Sequence, residues 1–169
     1  MAAGSTYTPI ATTTGTGSSG TISFTSIPST YTDLRVILTG TETNATLYEF
    51  DMRYNNDSGN NYSLTYLQGN GSSATSGRYS STNKIRLGEA GTDTTLPTLI
   101  TVDVMNYANT TTYKTCLIRY NEFASSGGDT GAKAALWSST SAITRIDLLN
   151  LGGNFTTITT ATLYGIAAA

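Results

Sequence analysis

Apolar and charged side chains alternate strictly at Tyr48, Phe50, Met52 and Tyr54 against Glu49, Asp51 and Arg53. A period of two turns successive side chains to opposite faces, so this run predicts a half-buried β-strand. The same period recurs at Ile22 and Phe24, at Leu34, Val36 and Leu38, at Tyr62, Leu64 and Tyr66, and at Ile85 and Leu87. It continues at Ile100, Val102 and Val104 around Thr101 and Asp103, and at Cys116, Ile118 and Tyr120 around Leu117 and Arg119. Residues 132–137, 143–149 and 155–166 complete the set. Between the runs lie clusters of Gly, Asn, Asp, Ser and Thr at 55–61, 68–83, 88–95, 106–112, 124–131 and 150–154. These residue types accept positive φ or bond their own backbone, and so make turns. About ten short strands at regular spacing predict an all-β, antiparallel β-sandwich, jelly-roll-like, with residues 21–169 as one domain.

Composition reinforces this reading. Thr (34), Ser (18), Gly (17) and Asn (12) account for 81 of the 169 residues, while charged residues make up 12%. Gln68 is the only Gln, and Glu and Lys are scarce, so helix has little support. The net charge of −2 is too small for a chain kept unfolded by its own repulsion. Residues 1–20 are uncharged, small and rich in Thr and Gly, and are expected to be an N-terminal arm, flexible or ordered as a strand against a neighbour. The 68–83 segment is expected as a long loop.

The chemistry is bounded by what the chain lacks. With no His and one Cys, Cys116, it has neither a His- or Cys-based metal site nor a disulfide of its own, and no Ser-His or Cys-His pair. No cofactor, no nucleic acid and no membrane are expected as partners, because nine basic residues are dispersed along an acidic chain and the apolar runs are short. The first 32 residues carry no charge, so the basic start of a secretion signal is missing.

Three candidate sites remain. The loop Asn55-Asn56-Asp57-Ser58-Gly59-Asn60-Asn61 is rich in oxygen and suits a hard cation, but it has one carboxylate and not the spacing of an EF-hand; a hairpin loop is the plainer reading. Carboxylates for glycoside hydrolysis would come from Glu49, Asp51, Asp103, Glu122 or Asp147, yet nothing marks a pair, and Glu49, Asp51 and Arg53 read as a solvated ladder on one strand face. Arg78 and Tyr79, placed in the 68–83 loop, are candidates for stacking on a glycan or receptor. Cys116 reads as a small buried hydrophobe.

Several ordered motifs point further. They are Tyr7-Thr8-Pro9-Ile10-Ala11-Thr12, the segment from Phe24 to Leu34, the run from Tyr54 to Ser63, Asn106-Tyr107-Ala108-Asn109-Thr110-Thr111, Lys114-Thr115, the run from Trp137 to Ile146, and Thr162-Leu163-Tyr164-Gly165-Ile166. Together they span nearly the whole chain, which resembles small virion structural proteins of tailed bacteriophages, frequent in phages of cyanobacteria and other aquatic bacteria. The resemblance implies a location on the virion and no catalytic residues. A compact module without heptads or repeats favours a capsid decoration (cement) protein on the head over a tail fibre or a receptor- or glycan-binding module. The expected partners are the major capsid protein or other virion proteins, with the chain in a symmetric homo-oligomer such as a trimer. Tyr7, Pro9 and Ile10 of the arm, with Arg78 and Tyr79, are the expected partner-binding residues.

Overall fold

A computed structural model describes residues 6–44, 48–90, 94–124 and 127–167. Those residues form twelve strands: β1 (Tyr7–Thr14), β2 (Thr21–Phe24), β3 (Asp33–Gly40), β4 (Tyr48–Tyr54), β5 (Tyr62–Gly69), β6 (Ala74–Thr82), β7 (Ile85–Ala90), β8 (Thr98–Met105), β9 (Lys114–Ala124), β10 (Gly127–Trp137), β11 (Ile146–Asn150) and β12 (Thr160–Ile166). They build an eight-stranded sheet in the order β1-β12-β3-β8-β9-β10-β5-β6 and a four-stranded sheet in the order β2-β11-β4-β7. Every pairing is antiparallel. The chain is thus the expected all-β sandwich.

Setting aside the hairpins β5–β6 and β9–β10 exposes the plan. The remaining strands run β1-β12-β3-β8 in one sheet and β2-β11-β4-β7 in the other, the order of a jelly roll. Both hairpins are insertions that add to the same edge, beyond β8, and so double the width of one sheet only.

The core follows from the alternation. Leu34, Val36 and Leu38 of β3, Ile100, Val102 and Val104 of β8, and Leu163 of β12 face Phe50 and Met52 of β4, Ile85 and Leu87 of β7, and Ile146 and Leu148 of β11, all at 1% exposure or less. Under the inserted hairpins, Trp137 lies 5.5 Å from Tyr54 and stacks on Tyr62 at 6.3 Å and 16°. This aromatic group fixes the 55–61 loop, because the Trp137 Nε1–H donates to Asp57 Oδ2 at 2.7 Å. Cys116 is buried as expected, and burial pushes its thiol up to about 11.

Three expectations are corrected. Residues 7–14 are not a free arm: they form β1, pair with β12 of the same chain and belong to the sandwich, and Gly15 and Gly17 extend the attachment by donating to Thr159 and Phe155 carbonyls. Small side chains concealed this strand, which buries little and is held by its backbone. Residues 68–83 are not a long loop but mostly the two strands of the β5–β6 hairpin. The 55–61 loop is not a hairpin turn either; it carries the chain from the small sheet to the large one.

Because β1 covers the edge of β12, deleting residues 1–14 should lower the thermal midpoint by at least about 5 °C and promote association through the uncovered edge, read by circular dichroism and size exclusion. An unchanged midpoint would restore the free-arm description.

Candidate interaction surface

The inward positions of the eight-stranded sheet are taken by the core, so the alternate positions form its outer face, and no element covers them among the described residues. The register traces one line across all eight strands: Pro9, Tyr164, Arg35, Asp103, Leu117, Ala134, Thr65 and Arg78. A neighbouring line runs through Thr162, Ile37, Thr101, Arg119, Ala132, Leu67 and Ser76. At the usual strand spacing the face is about 34 Å wide and, over seven residues, about 23 Å long.

Its chemistry is unusual for a wet sheet face. Leu67 and Leu117 are 60% and 57% exposed, and Leu99, Met105 and Phe123 are exposed too. Shallow grooves of about 350 Å³ and 330 Å³ lie between these side chains, the first lined by Met105, Leu117, Leu136 and Arg78, the second by Leu99, Thr101, Arg119 and Asn121. Among the described residues the face bears arginines and tyrosines but no Lys and no Glu. Arg in place of Lys and Glu, beside exposed Leu, Met and Phe side chains, is a pattern shared with protein interfaces more than with ordinary surface.

The expected binding residues are distributed over this face unevenly. Tyr7 and Pro9 sit at one edge and Arg78 at the other, so the two groups share a face but are seven strands apart. Tyr7 is turned to its own sheet: its ring meets Tyr164 edge-on at 6.4 Å, and the Arg35 guanidinium lies 5.1 Å from its centroid. Ile10 is half-buried against the core. Pro9 is exposed at a bulge in the edge strand, where a residue without an N–H is tolerated. Tyr79 points inward, stacks on Tyr66 at 5.8 Å and takes the Arg86 guanidinium at 4.3 Å, so the strand and not a loop sets its orientation. Arg78 is displayed outward, bonded to Ser80 Oγ at 3.0 Å. Leu67, Leu99, Met105 and Leu117 went unrecognised as site residues; the available signal was an apolar side chain at a position where the alternation predicts a wet one.

The other candidates are consumed by structure. In the 55–61 loop, Asp57 Oδ1 accepts the Gly59 N–H, and Oδ2 accepts from Asn61 Nδ2 and Trp137 Nε1. Partial burial pushes the Asp57 carboxyl upward, but these bonds hold it below the usual carboxylate range. Asn55 Oδ1 is likewise engaged by the Thr144 and Arg145 N–H groups. Among the described residues no three of His, Cys, Asp and Glu gather in a metal-holding group.

Of the carboxylates, Asp103 is held by Arg35, Asp147 by Arg145 and Ser23, and Glu49 by Arg86 at 2.8 Å. Glu122 is 4% exposed, its strand position facing inward. Asp51 corrects the solvated-ladder expectation: it is fully buried and is paired with Lys84 across the sheet, at 2.7 Å, while Arg53 turns to the Asn83 carbonyl. Burial pushes Asp51 up to about 6, against the pull of Lys84.

Comparison with protein-family models, with curated proteins and with solved structures finds no match.

Glu42, outside every expected site, is a strongly perturbed acid. It follows β3, bridges to Phe155 and is 1% exposed; Asn150 Nδ2 donates to its Oε2 at 3.0 Å, while Oε1 has no partner. Burial pushes its carboxyl up to about 7. The folded state therefore keeps a proton that the unfolded chain releases near 4.5, and stability falls as the pH rises from there to about 7. Glu42→Gln, which keeps the shape without the charge, should flatten the fall in thermal midpoint between pH 5 and pH 8. An identical pH slope in wild type and variant would exclude Glu42 as its source.

Proposed function

We propose that this chain is a structural protein of a tailed-phage virion, a capsid decoration protein whose wide sheet seats against a neighbouring virion protein. The observation that carries the reading is the outer face of the eight-stranded sheet. It has the composition of an interface and about the area, roughly 800 Å² per partner, that a standard protein contact needs. The fold lends support by analogy, since jelly rolls are common in viral capsid proteins, and the motifs resembling phage structural proteins supply the assignment to a virion. The chain acts by binding: of the carboxylates weighed for catalysis, Glu49, Asp51, Asp103 and Asp147 are held in ion pairs and Glu122 is buried.

Repetition suits such a protein. A contact of modest strength repeated on a symmetric lattice, or within a homo-oligomer such as a trimer, gains avidity without new chemistry. The receptor-binding alternative draws on Tyr79, Arg78 and the polar loops, and of these the Tyr79 ring is engaged by Tyr66 and Arg86.

The proposal is tested on particles lacking the chain, supplied with protein in trans. Leu67→Arg/Leu117→Arg should fail to coat heads, whereas Leu151→Ser/Ile158→Ser, which alters exposed apolar loop residues elsewhere, should coat them fully. Labelling confined to tails, or equal coating by both variants, would refute the decoration reading.

A further inference from the structure

The charges on the wide face are not balanced within it. Arg35 grips Asp103 with two bonds, Nε to Oδ1 at 2.5 Å and Nη2 to Oδ2 at 2.9 Å, and so uses both carboxylate oxygens. Arg119 reaches the same carboxylate only at 3.8 Å, with its side chain 69% exposed. The other aspartate on this face, Asp33, accepts the Asn106 N–H. Arg78, three strands from Arg119, bonds only a serine hydroxyl. Arg119 and Arg78, whose backbone positions stand about 16 Å apart across three strands, therefore flank a floor of Leu67, Ala132, Ala134 and Leu117, the first with only a long contact to an aspartate that Arg35 already holds and the second with a serine hydroxyl.

From this we infer that the partner on the wide face is an acidic protein surface. Its aliphatic or aromatic side chains enter the grooves beside Leu67 and Leu117, and two of its carboxylates meet Arg119 and Arg78. Guanidinium and carboxylate form paired, directional bonds, and their desolvation on an apolar floor strengthens them relative to bonds in open water. Nucleic acid fits less well, because the face has no Lys and its basic groups stand on aliphatic ground without aromatic platforms between them. A second copy of the same face would bring the same excess of positive charge, Arg35, Arg78 and Arg119 against Asp33 and Asp103. The inference rests on the wide face being the docking site.

The test pans a displayed library of random peptides against the immobilised full chain at physiological and at high salt. Three proteins are compared: wild type, Arg78→Ser/Arg119→Ser, and Leu67→Ser/Leu117→Ser. All four side chains are exposed, so the variants should keep the wild-type melting curve. Peptides retained by wild type should combine Asp or Glu with aliphatic or aromatic residues, bind at least about tenfold more weakly to the arginine variant, and elute at high salt. Selected peptides with no acidic bias, or with equal affinity for the arginine variant, overturn the acidic partner while leaving the face in place. Equal binding to the leucine variant overturns the docking face itself. Self-association of wild type in sedimentation, abolished by the leucine substitutions, would make a second copy the occupant and equally overturn the acidic partner.

Discussion

The pairing of β8 with β9 is the contact on which the functional architecture depends. Seven residue pairs, from Leu99 with Asn121 to Met105 with Thr115, join the jelly-roll half of the large sheet to the half made by the two inserted hairpins. Without it there would be a jelly roll with four strands a side and two loose hairpins. With it, the inward residues of both halves fall into one core and the outward residues into one continuous face. Backbone hydrogen bonds set that register, and the burial of Val102, Val104, Cys116 and Ile118 on one side holds it, because a slip by one residue would turn them all to solvent.

The unequal width of the two sheets has a consequence for composition. The four-stranded sheet faces the jelly-roll half and, through β7, reaches part of the inserted half, where Tyr54 of β4 packs with Tyr62 and Trp137. Aromatic rings fill this space with few residues, which suits a chain that spends so much of its length on Thr, Ser, Gly and Asn. Those small residues serve the outer positions and the turns. The same economy leaves buried carboxylates: Asp51 relies on Lys84, and Glu42 leaves one oxygen unanswered, so part of the stability of the sandwich is tied to protonation.

Most strands were legible in the sequence because one face of each is strongly apolar, as at Leu34, Val36 and Leu38. The two that were missed are the edge strands of the large sheet. β1 and β6 are exposed along most of their length, so Thr12 and Thr14, or Ser76 and Ser80, show no contrast between faces and resemble turn residues. Edge strands are defined by a neighbour's backbone more than by their own side chains, and pairing over a separation such as Tyr7 with Ile166 leaves no local mark. The partners of charged residues were hidden for the same reason: Asp51 faces Arg53 in sequence but Lys84 in space. The proposed interaction face was half legible. Leu117 and Arg119 were identified as the wet alternates of a strand, yet only the register shows that Leu67 and Ala132 stand beside them.

Hydroxyl-radical footprinting of the chain, free and in purified particles, tests most directly whether the wide face is the one that binds. Met105 is the natural reporter, exposed on that face and readily oxidised, while buried Met52 serves as the internal reference. The account predicts that particles protect Met105, Leu67 and Leu117 and leave Leu151 and Ile158 at the loop ends as reactive as in the free chain. Unchanged oxidation of Met105 with protection at Leu151 and Ile158 would contradict it.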